Sequence, residues 1–149
     1  MKKTKLVRIL ITGVSAIFLI IQFFRTDKTN PQLDAETDFR KLEQVPEEIA
    51  VLIEKTCYDC HSNETVYPWY AGIAPLSWII KSHVTEGREN MNFSEWAKYQ
   101  PGKRGHFLDE CSEVIEKGEM PLKPYTLMHP DAKLNTEEKA ILVKWFTRE

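Results

Sequence analysis

The sequence predicts an all-α fold preceded by one membrane-spanning helix. After residue 40, apolar side chains recur at helical spacing in four separate segments. No alternating run of β-branched residues appears, and prolines interrupt the aromatic stretch at residues 67–70, so strand formation is disfavoured. A long apolar run near the N-terminus completes the pattern. We therefore expect a small helical domain on a single anchor.

The apolar run near the N-terminus predicts the anchor. The first 25 residues contain five basic residues and no acid, and only three polar side chains interrupt the stretch from Ile9 to Phe24. A removable signal peptide would end in small residues, whereas this run ends in bulky ones before Arg25. Residues 1–25 are thus predicted to be an uncleaved signal anchor whose span begins near Leu6. Its basic flank places the N-terminus inside and the rest outside the bacterial cytoplasmic (inner) membrane, on the periplasmic side.

The rest of the chain divides into a linker and one domain. Residues 26–39 are polar and lack a helical apolar stripe, which predicts a tether. Residues 40–149 are enough for one domain of ordinary size. Without the five basic residues of the anchor, 15 basic and 22 acidic residues remain, a net charge of about −7. This balance argues against nucleic-acid binding and favours partners with basic docking surfaces.

Two amphipathic helices are predicted at the ends of this domain. Pro46 opens the first, because proline is tolerated in a first turn and two glutamates follow it. Its apolar positions lead directly to Cys57. The last helix begins after Asn135, a suitable N-cap with Glu138 as its capping-box partner.

Two further helices are predicted between them. One runs from Pro75 to about Glu86 and ends near Gly87, and another covers 107–117 and ends at Gly118.

The motif Cys57-Tyr58-Asp59-Cys60-His61 predicts covalent attachment of one haem c. On one helical turn, the thiols of Cys57 and Cys60 can form thioether bonds to the two haem vinyl groups. His61 then lies under the iron as its axial ligand. Such attachment takes place outside the cytoplasmic membrane, in agreement with the predicted orientation of the anchor.

Two other uses of these cysteines are possible. A zinc site would need two more ligands from Cys111, His83, His106 and His129, none of which forms a second tight pair. A thioredoxin-type dithiol would lie where a strand runs into a helix, whereas here a helical pattern precedes Cys57.

Met120 is the leading candidate for the sixth iron ligand, and His83 is the alternative. Met120 precedes Pro121 and follows a helix end, so it is expected on a short loop, where its thioether would raise the reduction potential relative to two histidines. His83 lies on the apolar face of its predicted helix, where an imidazole needs a partner or a metal.

Aromatic side chains are concentrated in one short part of the chain and could form flat walls for a haem. Arg88 could pair with a propionate, and Cys111 is expected to be an inert buried thiol. The predicted pocket residues are Tyr67, Trp69, Tyr70 and Trp78.

Over residues 40–149 the chain resembles the bacterial haem-binding domain family, which is similar to small class I cytochromes c. The resemblance is carried by the CxxCH motif at 57–61 with Ser62-Asn63, by 67–70, by Gly87-Arg88, by 92–94 and by the Met-Pro pair at 120–121. It implies a cytochrome c-like domain with Cys57 and Cys60 as attachment points and His61 as axial ligand, and it leaves the biological role undefined.

These observations predict a membrane-anchored monohaem protein that transfers single electrons to redox partner proteins and is not itself an enzyme. The alternative is a haem-based sensor or ligand-binding module with a displaceable sixth ligand.

Overall fold

The computed structural model describes residues 2–148, and helices account for all of the regular structure in that range. Strands are absent from residues 2–148, so the all-α prediction is confirmed. The eight α-helices of the described residues are α1 Lys2–Ile21, α2 Phe39–Leu42, α3 Glu47–Ile53, α4 Asp59–His61, α5 Leu76–Asn90, α6 Pro101–Glu116, α7 Lys123–Met128 and α8 Thr136–Phe146. A π-helical turn, Glu54–Tyr58, joins α3 to α4.

Short 3₁₀ helices complete the chain at Ala35–Thr37, Trp69–Gly72, Phe93–Lys98 and Pro130–Ala132. The chain forms two compact units. The first contains residues up to Thr29 together with Tyr67–His83, and the second contains Asn30–Val66 and Val84 onward. Helix α5 is continuous, and its first half belongs to one unit and its second half to the other.

The first unit contains the predicted anchor helix. Within α1, Lys3–Ile21 has a mean hydropathy of 2.0, and its apolar stretch is not buried. Its length and composition are compatible with a single-pass membrane anchor. Beyond α1, the side-chain amide of Gln22 donates to the carbonyl of Ala74 (3.0 Å) and accepts from the N–H of Ala74 (3.0 Å).

The second unit has an aromatic core. Phe39 is fully buried, with its ring centroid 4.8 Å from those of Phe93 and Trp96. Helix α8 packs against both α3 and α6, and its residues Leu142 and Phe146 extend this core. The two predicted terminal helices are therefore in contact.

Helix ends agree with the sequence where capping side chains mark them. Asn135 accepts from the N–H of Glu138 (2.9 Å), and the Glu138 carboxylate accepts from the N–H of Asn135 (2.8 Å), so the predicted capping box is confirmed. Helix α6 ends in a Schellman motif: Gly118 has φ +67°, and the N–H of Glu119 donates to the carbonyl of Val114 (2.9 Å).

Two predicted helix boundaries are wrong. Helix α5 does not end near Gly87 but continues through it to Asn90. This glycine does not cap the helix; it allows the helix to lie close to the backbone of Cys60. Helix α6 begins at Pro101, six residues before the predicted start, because proline at its first position starts the helix. His106 therefore lies on α6, with its Nε2 3.4 Å from the Glu110 carboxylate.

Candidate haem site

A cavity of about 390 Å³ lies in the second unit, within the size range of ligand pockets. Three of the predicted haem-site residues, Cys57, His61 and Met120, line it together. Its other described walls are mostly apolar or sulfur-containing and include Met91, Phe93, Phe107, Cys111, Val114, Ile115 and Phe146.

The backbone around Cys57 departs from α-helical geometry. Glu54–Tyr58 forms the π turn, a type of distortion that is frequent at functional sites. The hydroxyl of Thr56 donates to the carbonyl of Leu52 (2.6 Å) and lies 3.2 Å from the Cys57 Sγ. The turn therefore presents Cys57 to the cavity, and the following helix α4 carries Cys60 and His61.

Burial governs the protonation of the two motif thiols. It raises the pKa of Cys57 and of Cys60 to about 11, with the Asp59 charge adding to the effect at Cys60. In the folded chain both cysteines are therefore neutral thiols at neutral pH.

The His61 ring is oriented by a backbone hydrogen bond. Its Nδ1 donates to the carbonyl of Met91 at 3.1 Å. Because a carbonyl can only accept, this contact places the proton on Nδ1 and leaves the Nε2 lone pair available to a metal. Burial also lowers the pKa of His61, which favours the neutral ring. This is the protonation state that an axial ligand needs.

The side chains between the cysteines are both fixed by hydrogen bonds. The Tyr58 hydroxyl donates to Asp38 (3.1 Å), and its ring stacks on Phe93 with centroids 5.2 Å apart. Asp59 accepts from the hydroxyl of Tyr125 (2.8 Å) and from the N–H of Val66 (2.8 Å). The protein's own contacts therefore fix both residues that lie between the two cysteines.

The residues after the motif form a buried network with the Phe93–Lys98 helix. The backbone N–H of Asn63 donates to the Ser94 hydroxyl (3.0 Å), and the side-chain amide of Asn92 donates to the side-chain oxygen of Asn63 (2.9 Å). The Ser62 hydroxyl donates to the carbonyl of Tyr58 (2.7 Å). The stretches 62–63 and 92–94, which carry part of the family resemblance, are thus in direct contact.

Arg88 and Gly87 connect α5 to the motif. Arg88 donates to the carbonyl of Ser62 (2.7 Å) and to Thr65 (2.9 Å), so it has protein partners rather than standing free for a propionate. A Cβ atom at Gly87 would lie 2.5 Å from the carbonyl oxygen of Cys60. Only glycine allows the helix to approach this closely.

Met120 reaches the cavity because of the turn that ends α6. Its N–H donates to the carbonyl of Val114 (3.2 Å), and it follows the left-handed Gly118 by two residues. The Met120–Pro121 peptide is cis. The alternative ligand, His83, belongs to the first unit, whereas the cavity walls come from the second.

The four predicted pocket aromatics also belong to the first unit, and the described cavity walls do not include them. Their part in a haem pocket stays a prediction. Sequence reasoning missed Met91, whose carbonyl orients His61 and whose sulfur lies 3.9 Å from Cys111 Sγ. Cys111 is half-buried on the cavity wall, and burial raises its thiol pKa. The sequence indicated the position of Cys111 only through its place on the apolar face of a predicted helix.

The zinc alternative has no ligand set in the part of the chain that the structure describes. Across residues 2–148, no three His, Cys, Asp or Glu side chains come together as a metal site. His106 is exposed, and His129 stacks on Tyr125 with ring centroids 4.4 Å apart.

Fold and site together define an all-helical ligand-binding protein whose cavity presents a thiol, an imidazole and a thioether. These donors, with mostly apolar walls, suit an iron porphyrin. The chain belongs to the haem-binding domain family, whose model, described as "Haem-binding domain", matches residues 16–148. No curated protein matches the chain. No solved structure matches it either.

Proposed function

We propose that this protein is a membrane-anchored, monohaem c-type cytochrome that transfers single electrons on the periplasmic side of the inner membrane. The observation that carries the proposal is the meeting of Cys57, His61 and Met120 on one cavity. Bound haem would supply a reversible one-electron couple. The protein would supply attachment, ligands, burial and a docking surface, and it would not be an enzyme by itself.

Each site residue has a defined part in this proposal. Cys57 and Cys60 would hold the haem through thioether bonds, each formed by adding S–H across a vinyl group. His61 would bind iron through Nε2 because Nδ1 is already committed to the Met91 carbonyl. Met120 would supply the second iron ligand, a soft thioether that favours ferrous iron.

Charge supports a role with other electron carriers. The second unit contains 13 basic and 21 acidic residues, a net charge of −8. A surface of this sign attracts basic partners and speeds their encounter at low ionic strength. We therefore expect redox partners with basic docking surfaces.

Covalent attachment is tested by haem staining after denaturing electrophoresis. The full chain would be produced in bacteria with a haem c maturation system, beside the Cys57→Ser/Cys60→Ser double variant and a Cys111→Ser control. Wild type and control should stain, and the double variant should not. Absence of stain in the wild type would overturn the c-type assignment.

The sixth ligand is tested by the optical spectrum of the oxidised protein. The sulfur-to-iron charge-transfer band should be present in wild type, lost in Met120→Ala and retained in His83→Ala. Loss in His83→Ala alone would contradict the assignment. Rapid carbon monoxide binding by the reduced wild-type protein at neutral pH would instead favour the alternative function, a haem-based sensor or ligand-binding module with a displaceable sixth ligand.

A further inference from the structure

The segment Tyr67–His83 is fastened to the end of α1 within the first unit. Gln22 exchanges two hydrogen bonds with the backbone of Ala74, each 3.0 Å long. The indole N–H of Trp78 donates to the carbonyl of Phe24 (2.9 Å). These contacts hold the segment at the level where α1 ends.

Large apolar side chains are exposed on both of the chain segments that these contacts join, the end of α1 and residues 67–83. Trp69 is 81% exposed and Trp78 39% exposed, although tryptophan is usually well buried in water-soluble folds. Leu76 and Ile79 on the first turns of α5 are exposed as well, and so are Phe23 and Phe24 beyond α1. We call these six exposed side chains the junction patch.

The charges around the junction patch suit anionic headgroups. Residues 67–83 contain one basic residue, Lys81, and no acid. Arg25 and Lys28 lie four and seven residues beyond the end of α1, and Asp27 is the single acid of the first unit. The second unit has the opposite sign, so an anionic lipid surface would attract the first unit and repel the second.

We propose that the junction patch lies in the headgroup region of the bilayer, beside the point where α1 leaves it. The junction patch contacts lipid rather than a soluble protein. Its residues Phe23 and Phe24 follow the spanning helix directly in the chain, and like that helix the patch contains no acidic residue. Tryptophan favours this region since its ring is apolar while its N–H is polar. The inference rests on the proposed anchoring by α1.

Photolabelling of the full haem-loaded chain in vesicles tests the proposal. The vesicles would contain phosphatidylcholine and phosphatidylglycerol with a lipid that carries a diazirine near the headgroup, and adducts would be mapped by mass spectrometry. We expect adducts in α1 and in residues 67–80. Leu127 is the matched control, because it is 79% exposed but belongs to the second unit, and it should remain unlabelled.

The outcomes separate this inference from the anchoring itself. Adducts in α1 without adducts in 67–80 would overturn the inference and leave the anchor standing. Absence of adducts from α1 would instead refute the anchoring, and the inference with it. Adducts in 67–80 that disappear as the protein-to-lipid ratio rises would show that a second protein chain covers the patch, and would also overturn the inference.

Substitution adds a second readout. A Leu76→Ser/Ile79→Ser double variant should lose labelling of 67–80 several-fold, whereas Leu127→Ser should not change it. The haem optical spectrum of the double variant should match wild type. Labelling of 67–80 that the double variant leaves unchanged would contradict the proposal.

Discussion

Replacing Gly87 by alanine tests whether the close approach of α5 to the motif is required. The new Cβ would lie 2.5 Å from the Cys60 carbonyl oxygen, 2.9 Å from its carbonyl carbon and 3.1 Å from its Cβ. Since Cβ atoms essentially never come within 3.0 Å of such neighbours, the helix must retreat by about 0.5 Å, or about 0.9 Å for an ordinary 3.4 Å contact. The neighbouring atoms are mostly backbone, so they cannot rotate away.

The expected loss of stability follows from two opposing contributions. Alanine in a helix interior is favoured over glycine by about 0.5–1 kcal/mol. Overpacking costs about 1–3 kcal/mol. Gly105→Ala on α6 is the matched control, because its new Cβ would meet nothing within 4 Å and should only stabilise. The two variants should therefore differ in free energy of unfolding by about 1–3 kcal/mol.

Urea unfolding of the full-length proteins in detergent, followed by circular dichroism, measures this difference. The midpoint of Gly87→Ala should fall about 1 M below that of Gly105→Ala. Its yield of covalent haem should also fall, since the displaced contact is with Cys60 itself. Equal midpoints and equal haem yields would refute the reasoning about the close approach.

Three further perturbations test other contacts. Gly118→Ala should lower the free energy of unfolding by about 1–2 kcal/mol, because alanine is strained at φ +67°. It should also weaken the sulfur-to-iron band by moving Met120. An unchanged band would show that Gly118 does not position Met120. Arg88→Lys should cost about 1–2 kcal/mol in urea unfolding, since an ammonium group cannot keep the forked contacts to Ser62 and Thr65, and an unchanged midpoint would count against it. Glu138→Gln keeps the capping-box acceptor but removes the charge that pairs with Lys55, so it should cost about 0.2–1 kcal/mol at pH 7. The hydrogen bond from Lys55 lowers the pKa of Glu138. The difference in free energy of unfolding from wild type should therefore persist above the ordinary pKa of 4.5 and disappear as the pH falls through the lowered pKa. A difference that does not depend on pH would contradict this prediction.

Local chemistry explains which features could be predicted from the sequence. The capping box at Asn135 and the helix opened by Pro46 are short-range patterns, and both occur as predicted. The motif and Met120 were identified from residue type and spacing, and the structure places Cys57, His61 and Met120 on one cavity.

Features that depend on distant contacts could not be predicted. Gly87 has the appearance of a helix stop, and only its proximity to Cys60 explains why α5 continues through it. The π turn before Cys57 has no sequence pattern of its own. The carbonyl of Met91 orients His61 as a backbone group, so its residue type carries no information about that role.

The cavity walls come from distant parts of the chain, and this determines the order in which the site can form. Thr56 and Phe146 both line the cavity, although 90 positions separate them in sequence. The pocket therefore cannot close until α8 has been synthesised and has docked on α3 and α6. During that interval the two motif cysteines remain accessible on a partly folded chain. Assembly from N-terminus to C-terminus thus leaves time for a large planar group to enter before the last helix encloses it.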